Sequence, residues 1–210
     1  MKKNILITGS TDGIGKLAAI MLAKEGHKVY LHGRSQEKLT KVIAELKEQS
    51  NNMDVNGFVA DFSDLAAVRQ MAHSIQGELP QLDILINNAG IFKSPNEKNK
   101  DGLDIRFVVN YFAPYLLTDL LIPLLKKGNE PRLINLSSAA QMPVSRNALE
   151  GKSHISSQEA YAQSKLALTM WSFHLAKVHP ELNVIALNPG SLLNTNMVRE
   201  AYGRFWSSAD

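Results

Sequence analysis

The stretch at residues 4–15 constrains the fold of this chain more than any other part of the sequence. It reads Asn-Ile-Leu-Ile-Thr-Gly-Ser-Thr-Asp-Gly-Ile-Gly, so a short β-prone run passes through glycines into apolar residues at helical spacing from Ile14. Glycine lets the backbone turn tightly and approach a charged group, and free N–H groups at a helix start stabilise an anion. We interpret this stretch as a strand, turn and helix that bind the pyrophosphate of a dinucleotide.

The glycine-rich turn has two other interpretations. The phosphate loop of P-loop NTPases requires Gly-x-x-x-x-Gly-Lys-Ser/Thr, whereas Ser10 stands at the first glycine position and Leu17 replaces the magnesium-binding hydroxyl after Lys16. A structural glycine turn without a ligand is the second alternative, because short glycine motifs occur in many proteins.

The rest of the chain alternates between strand and helix patterns. The predicted strands cover residues 5–7, 29–32, 55–60, 83–87, 132–136 and 183–187, and the predicted helices begin at residue 14 or cover 36–49, 65–75, 102–127 and 158–178. The expected buried face is Leu17, Ala18, Met21 and Leu22 in the first helix, and Leu39, Val42, Ile43 and Leu46 in the second. This alternation predicts one α/β domain over residues 1–210, with a Rossmann-type, doubly wound parallel sheet in three α/β/α layers. Ligands then bind beyond the carboxyl ends of the strands.

Composition narrows the classes of function. The 210 residues are 44% hydrophobic and carry a net charge of +3 without a basic block, which argues against a nucleic-acid partner. No cysteine is present and the six histidines form no zinc-binding motif, so neither a disulfide nor a metal site is expected. Residues 116–125 are interrupted by Asp119 and Pro123, and no signal peptide is evident. We expect a cytoplasmic protein without a membrane span.

The end of the second strand bears on cofactor choice. An acidic residue there would bind the ribose 2′-hydroxyl of NAD, but the chain has Gly33 followed by Arg34 and Ser35. Because the planar guanidinium can hold a 2′-phosphate in two places, NADP(H) is favoured and NAD(H) remains possible. The alternative is a surface arginine in an ordinary turn.

Polar residues also follow the third and fourth strands. Asp61, with Phe62 beside it, could accept a hydrogen bond from the adenine amino group, or Asp61, Ser63 or Asp64 could cap the next helix. The sequence Asn87-Asn88-Ala89-Gly90 could tie neighbouring strands together and leave room for a ribose, and a plain turn is the alternative.

Tyr161 and Lys165 are the candidate catalytic pair. Residues at positions i and i+4 share one face of a helix, so the phenol and the ammonium can enter one pocket, near Ser138 at the end of the fifth strand. A phenol titrates near ~10, and a neighbouring cation favours the phenolate, which makes Tyr161 a credible acid or base. An ordinary surface pair is the alternative for this common spacing.

Pro114 predicts an irregular helix at Asn110. Proline has no N–H, so the carbonyl group of Asn110 loses its helical hydrogen bond, and the helix should kink there. That carbonyl could hold a water molecule, or the kink could be purely structural.

Taken together, these motifs resemble the short-chain dehydrogenase/reductase family over nearly the whole chain. The resemblance rests on Thr8-Gly9-x-x-x-Gly13-Ile14-Gly15, Asp61, Asn87-Asn88-Ala89-Gly90, Asn110, Ser138, Tyr161-x-x-x-Lys165 and Asn188-Pro189-Gly190. It implies hydride transfer between NAD(P) and a small-molecule carbonyl or alcohol. Tyr161 would exchange the proton, Ser138 would hold the substrate oxygen, Lys165 would bind the ribose and lower the pKa of the tyrosine, and Asn110 would support a proton-relay water. The expected cofactor contacts are Gly9, Ser10, Thr11, Asp12, Gly13, Ile14, Gly15, Arg34, Ser35, Asp61, Phe62, Asn88, Ala89, Gly90, Tyr161, Lys165, Pro189, Gly190 and Thr195.

The sequence departs from the usual family pattern in two ways. Ser138 and Tyr161 are 23 positions apart, so residues 139–160 are expected to contain an inserted polar flap, as in the similar retinol-dehydrogenase-like subgroup. The sequence ends at Asp210, where the family normally continues through another helix and a seventh strand, so the last helix and strand are expected to be missing. Residues 191–207, which include Thr195, are expected to form a mobile lid, and a homo-oligomer is possible.

Two hypotheses of function follow. The favoured one is an NADP(H)-dependent carbonyl reductase or alcohol dehydrogenase. The alternative is a non-catalytic NADP(H)-sensing protein of the same fold. A sensor has no need for Ser138, Tyr161 and Lys165 together.

Overall fold

The computed structural model describes residues 1–190 and contains a six-stranded parallel sheet. Its strands are β1 (Asn4–Ile7), β2 (Lys28–Gly33), β3 (Val55–Val59), β4 (Ile84–Asn87), β5 (Arg132–Leu136) and β6 (Asn183–Leu187). Their order across the sheet is β3-β2-β1-β4-β5-β6, and every pairing is parallel. The predicted doubly wound sheet is confirmed, and the chain reverses its winding direction between β1 and β4.

Helices connect the strands and cover both faces of the sheet. They are α1 (Gly13–Lys24), α2 (Gln36–Ser50), α3 (Leu65–Glu78), α4 (Ile105–Phe107), α5 (Ala113–Leu125), α6 (Arg146–Leu149) and α7 (Ser157–Val178). A π-helical turn at Val108–Phe112 joins α4 to α5. Ile5 and Ile7 pack in a core with α1 and α2, whereas Leu6 packs in a second core with α3, α5 and α7, so the three layers follow from alternate side chains of β1.

The predicted buried face of α1 is wrong at Leu17 and Met21, whereas Leu22 is partly buried against the core. Leu17 and Met21 are 63% and 65% exposed, and the residues that α1 buries are Gly15, Ala19 and Ala23. These small residues recur every four positions and let the helix axis approach the sheet closely, while Leu17 and Met21 lie on the outer face. In α2, by contrast, the prediction holds for Leu39, Val42 and Leu46, which are buried.

The irregular helix predicted from Pro114 is present. The N–H group of Ala113 donates to the carbonyl of Val108, five residues back, and Pro114 lies at the start of α5. Within residues 1–190, Ile105–Leu125 is the one stretch whose length and composition would allow it to cross a membrane, but more than half of it is buried inside the protein. Packing against α3, α7 and β4 makes it a core helix of this fold.

The segment inserted between Ser138 and Tyr161 is more than a polar flap. It contains the short helix α6, and Ala148 is buried against Phe107 and Ala160 in a small third core. This apolar anchor fixes the middle of the segment to α4 and α7. The expectations of a missing last helix and strand, and of a lid at residues 191–207 that includes Thr195, lie outside the described residues.

Candidate active site

The carboxyl ends of the strands open into a cavity of about 1420 Å³. The predicted site residues that line it are Gly9, Thr11, Asp12, Gly13, Ile14, Arg34, Asp61, Phe62, Asn88, Ala89, Gly90, Ser138, Tyr161, Lys165, Pro189 and Gly190. Ser10, Gly15, Ser35 and Asn110 are also described but are not among the lining residues. The fold thus brings residues from seven separate segments to one end of the sheet.

The glycine-rich turn needs glycine for two different reasons. Gly9 has a φ of +62°, and a Cβ atom there would lie 2.7 Å from the Cα of Ala89. Gly15 has ordinary helical geometry, but a Cβ atom would lie 2.4 Å from Nδ2 of Asn88. The turn is therefore packed directly on the segment that follows β4, and Asp12 caps α1 by accepting a hydrogen bond from the N–H of Gly13 at 2.8 Å.

Asn88 and Thr8 join the turn to the end of β4. The side-chain amide of Asn88 donates to the carbonyls of Thr8 at 2.8 Å and Gly9 at 3.0 Å. In the other direction, the hydroxyl oxygen of Thr8 accepts from the backbone N–H groups of Asn88 and Ala89, each at 3.0 Å. These reciprocal bonds fix the relative position of two walls of the cavity.

His32 supports the turn from below and was not predicted. Its Nδ1 accepts a hydrogen bond from the N–H of Gly9 at 3.0 Å, Nε2 lies 3.0 Å from the carbonyl oxygen of Ala60, and the ring stacks on Phe62 at 4.2 Å. Burial lowers the pKa of His32 to about 4, so the imidazole is neutral at physiological pH. The available sequence signal was a histidine inside an otherwise apolar, buried strand.

Ser10 is a buried residue whose side chain connects β1 to β2. Its hydroxyl donates to the carbonyl of Ile7 at 2.7 Å and accepts from the N–H of His32 at 2.9 Å, and the residue is fully buried. Both bonds hold the Ser10 side chain against the ends of β1 and β2. The structure therefore does not place Ser10 at the cavity as a cofactor contact.

Basic side chains stand where the cavity opens beside β2. Arg34 is exposed there, and Lys38 forms an ion pair of 3.0 Å with Asp12. Ser35 is the N-cap of α2, and its hydroxyl accepts from the N–H of Lys38 at 3.3 Å. Asp61 accepts from the N–H of Ser63, and Asp64 caps α3, as one of the two alternatives for this segment predicted.

Tyr161 and Lys165 both face the cavity from α7. The ammonium group of Lys165 lies 5.8 Å from the centre of the Tyr161 ring and donates to the carbonyl of Leu136 at 2.7 Å. Lys165 is 4% exposed, and burial lowers its pKa to about 8. Ser138 lies at the end of β5 in the same cavity, where its hydroxyl accepts from the N–H of Ala140 at 3.1 Å.

Asn110 lies behind the cavity wall. Its side chain pairs with the backbone of Ile91, accepting from the N–H at 2.8 Å and donating to the carbonyl at 3.0 Å. Its amide also donates to the hydroxyl of Ser164 at 3.0 Å, and that hydroxyl donates to the carbonyl of Tyr161 at 2.7 Å. Asn110 thus connects the segment after β4 to the helix that carries Tyr161. Within residues 1–190, no group of three or more His, Asp or Glu side chains is placed to hold a metal ion.

Comparison with known proteins shows the family to which the chain belongs. Residues 3–203 match the family model described as short chain dehydrogenase. Human polyprenol dehydrogenase is 33% identical over 97% of this chain and 63% of its own length, and human retinol dehydrogenase 13 is 34% identical over 90% of this chain and 58% of its own. The chain therefore spans about three fifths of the length of these curated relatives.

Solved structures of short-chain dehydrogenases superpose on this chain. A short-chain dehydrogenase from Shigella flexneri 2a strain 301, complexed with NADP, superposes with a TM-score of 0.79 at 30% identity, covering 96% of this chain and 82% of its own. A short-chain dehydrogenase from Escherichia coli CFT073, complexed with NADPH, gives the same TM-score, identity and coverage. With the family model matching nearly the whole chain, this protein belongs to the short-chain dehydrogenase family and is similar to its retinol dehydrogenases.

Proposed function

We propose that this protein is an oxidoreductase that transfers a hydride between NADP(H) and a carbonyl or alcohol substrate. The observation that carries the proposal is the convergence of Ser138, Tyr161 and Lys165 on the cavity that the glycine-rich turn also lines. A protein that only binds a nucleotide needs the turn and has no use for the other three side chains. The names of the relatives, polyprenol and retinol dehydrogenases, support an alcohol or aldehyde as the substrate.

The residues at the cavity fit a dinucleotide. A Cβ atom at Gly9 or Gly15 would collide with Ala89 or Asn88, so glycine keeps the turn closely packed. The start of α1 behind the turn offers backbone N–H groups that would bind a pyrophosphate. Arg34 and Lys38 lie at the mouth, where a 2′-phosphate would add two negative charges. We infer that NADP(H) is preferred over NAD(H), and the NADP complexes of the related structures support this preference.

When bound, the nicotinamide ring would supply or accept the hydride. In carbonyl reduction, the Tyr161 hydroxyl would give its proton to the substrate oxygen, and in alcohol oxidation it would take that proton back. The Lys165 ammonium group, held by the carbonyl of Leu136, would stabilise the phenolate electrostatically and bind the ribose. Ser138 would donate a hydrogen bond to the substrate oxygen and so hold it near the phenol.

Asn110 would act behind this group. Its side chain is fully engaged with Ile91 and Ser164, so the role left to it in proton relay is through its backbone carbonyl, in the helix that the π-turn distorts. A water held there would carry protons between Lys165 and solvent. We also propose a cytoplasmic location and assembly into a homo-oligomer. Cell fractionation tests the first point and size-exclusion chromatography the second.

A substrate panel tests the function. Purified protein is mixed with NADPH and a set of aldehydes and ketones that includes retinal and a short polyprenal, and NADPH oxidation is followed at 340 nm. Turnover of at least one carbonyl, lowered by roughly two to four orders of magnitude in Tyr161→Phe, is the expected result. Tight NADPH binding without turnover of any substrate would instead favour a nucleotide sensor.

A further inference from the structure

Arg106 is a buried charged side chain that the proposed mechanism does not use. Its side chain is 3% exposed and forms an ion pair with Asp104, in which Nη1 lies 3.0 Å from Oδ2 and 3.3 Å from Oδ1. Asp104 also caps α4, since its Oδ1 accepts from the backbone N–H of Arg106 at 2.8 Å. Burying a cation is costly unless it is paired, and an apolar residue would fill the same space at lower cost. The guanidinium is therefore expected to do more than pack.

The other two donor positions of Arg106 reach separate segments. Nε donates to the backbone carbonyl of Phe92 at 3.0 Å, and Nη2 donates to the hydroxyl of Ser157, the first residue of α7. The rigid fork of a guanidinium fixes both distances at once, which a flexible ammonium would not do. Arg106 thus joins the segment after β4 to the start of the helix that carries Tyr161.

Phe92 and Tyr161 meet directly inside this frame. Their rings lie 5.2 Å apart in an edge-to-face arrangement with an interplanar angle of 71°, and both residues line the cavity. Tyr161 lies one helical turn beyond Ser157, so the guanidinium holds the aromatic pair from both sides: Phe92 by its carbonyl and α7 by its first residue. Small rotations of either segment would separate the two rings.

We propose that Arg106 is a positioning residue for Tyr161, which it acts on through Phe92 and Ser157. By keeping Phe92 packed on the phenol ring, Arg106 restricts the directions in which the Tyr161 hydroxyl can point and forms an apolar wall beside the reacting carbonyl. Arg106 itself does not line the cavity, so it is assigned no direct contact with substrate or cofactor. The inference rests on the proposed function, because it assigns the catalytic acid to Tyr161.

Ser157 offers a mild way to break the connection. Ser157→Ala removes the acceptor of Nη2, whereas Ser157→Thr keeps a hydroxyl at the same position. We expect Ser157→Ala to lower kcat about tenfold while the KM and the NADPH dissociation constant stay within twofold of wild type. Ser157→Thr should restore most of the lost kcat. A kcat equal to wild type in Ser157→Ala would overturn the proposal.

The neighbouring Ser156 is a matched control. Ser156 is the N-cap of α7, where it forms a reciprocal capping box with Glu159, and it has no bond to Arg106. Ser156→Ala should lower the melting temperature more than Ser157→Ala does and should leave kcat within twofold of wild type. If the two variants lower kcat equally, the effect belongs to the helix start and the role of Arg106 is refuted.

A double variant tests whether the effect passes through Phe92. Phe92→Ala keeps the backbone carbonyl that Arg106 bonds but removes the ring that packs on Tyr161, so adding Ser157→Ala to it should lower kcat no further. Effects that multiply would show that Ser157 acts by another route. Phe92→Leu, which keeps an apolar side chain, should retain more activity than Phe92→Ala.

Hydrogen exchange tests the role of Arg106 without a measurement of enzyme activity. In Asp104→Asn/Arg106→Met the ion pair is replaced by neutral groups, and amides in residues 91–96 should exchange at least tenfold faster, with β3 unchanged as the internal reference. Unchanged exchange in residues 91–96 would overturn the proposal. A wild-type protein that turns over nothing would refute the proposed function alone, because this measurement would still report whether Arg106 holds the segment.

Discussion

The imidazole of His32 and the backbone N–H of Gly9 form a buried hydrogen bond of 3.0 Å that supports the glycine-rich turn. Nδ1 accepts this bond, so Nε2 carries the proton and donates to the carbonyl of Ala60. Protonation of Nδ1 would turn the acceptor into a donor that faces another donor. The first glycine of the turn therefore depends on a neutral histidine.

This dependence predicts a loss of stability in acid. An unfolded histidine takes up a proton near pH 6.5, whereas folded His32 does so only at about pH 4, so its contribution is fully present above pH 6.5 and is lost as the pH falls towards 4. Between pH 7.5 and 5 the free energy of unfolding should fall by about 2 kcal/mol more in wild type than in His32→Gln. Urea unfolding at both pH values measures this difference. His73→Gln, at an exposed histidine, should behave as wild type; equal pH dependence in wild type and His32→Gln would contradict the prediction.

Two glycine-to-alanine changes should have opposite effects. Gly15→Ala places a Cβ atom 2.4 Å from Asn88 and 2.7 Å from the carbonyl oxygen of Gly9, so it should displace the turn and weaken NADPH binding at least tenfold, as measured by fluorescence titration. Gly77 lies in α3 with nothing within 4 Å of its added Cβ, so Gly77→Ala should raise stability by up to about 1 kcal/mol without changing NADPH affinity. Unchanged NADPH binding by Gly15→Ala would argue against the turn as the pyrophosphate site.

Cofactor preference should depend on the cations at the cavity mouth. A charge-assisted hydrogen bond contributes about 1.5–3 kcal/mol, so Arg34→Ala should raise the NADPH dissociation constant by tenfold or more and leave that of NADH nearly unchanged. Lys38→Ala should have a smaller effect in the same direction, because Asp12 partly neutralises Lys38. Lys41→Ala is the control, since this exposed lysine pairs with Glu37 and does not line the cavity. Equal NADPH and NADH affinities in wild type would contradict the prediction.

Removal of the phenolic proton should stop the chemistry and spare binding. Tyr161→Phe should lower kcat by roughly two to four orders of magnitude with little change in NADPH affinity, as steady-state kinetics and titration would show. Lys165→Ala should impair both NADPH binding and kcat, because it is assigned to both. If Tyr161→Phe kept wild-type turnover, Tyr161 would not be the proton donor.

The sequence predicted the sheet well because parallel strands here are short, apolar and flanked by clear turns. The predicted limits of β5 and β6 match the structure. The helix predicted at residues 102–127 is longer than the helical stretch in the structure, which covers Ile105–Leu125. The face of α1 was predicted wrongly, because hydrophobic periodicity favours large residues such as Leu17, while close packing on the sheet selects Gly15, Ala19 and Ala23. Leu17 and Met21 therefore lie on the side of the helix opposite to the small residues that pack on the sheet.

At the candidate site, residue types could be predicted but not all of their contacts. The convergence of Tyr161, Lys165 and the glycine-rich turn follows from strand order and helical spacing. The pairing of Asn110 with Ile91 and of Arg106 with Phe92 does not, because each bond joins a side chain to a backbone atom 14 or 19 positions away. Main-chain donors and acceptors leave no mark in the sequence, so the roles of His32, Arg106 and Ser164 became visible only in the structure.

The segment after β4 is held by its peptide groups, at Ile91 through Asn110 and at Phe92 through Arg106. None of these bonds uses a side chain of the segment itself. Cavity-lining side chains such as Lys93, Pro95 and Asn96 can therefore be exchanged without loosening this anchor, whereas Asn99 and Lys100 hold Leu103 and Asp64 through their own side chains. The cavity wall can thus acquire a new substrate preference while the hydrogen bonds at Ile91 and Phe92 stay the same. These positions are therefore suitable targets for a library of variants with altered substrate selectivity.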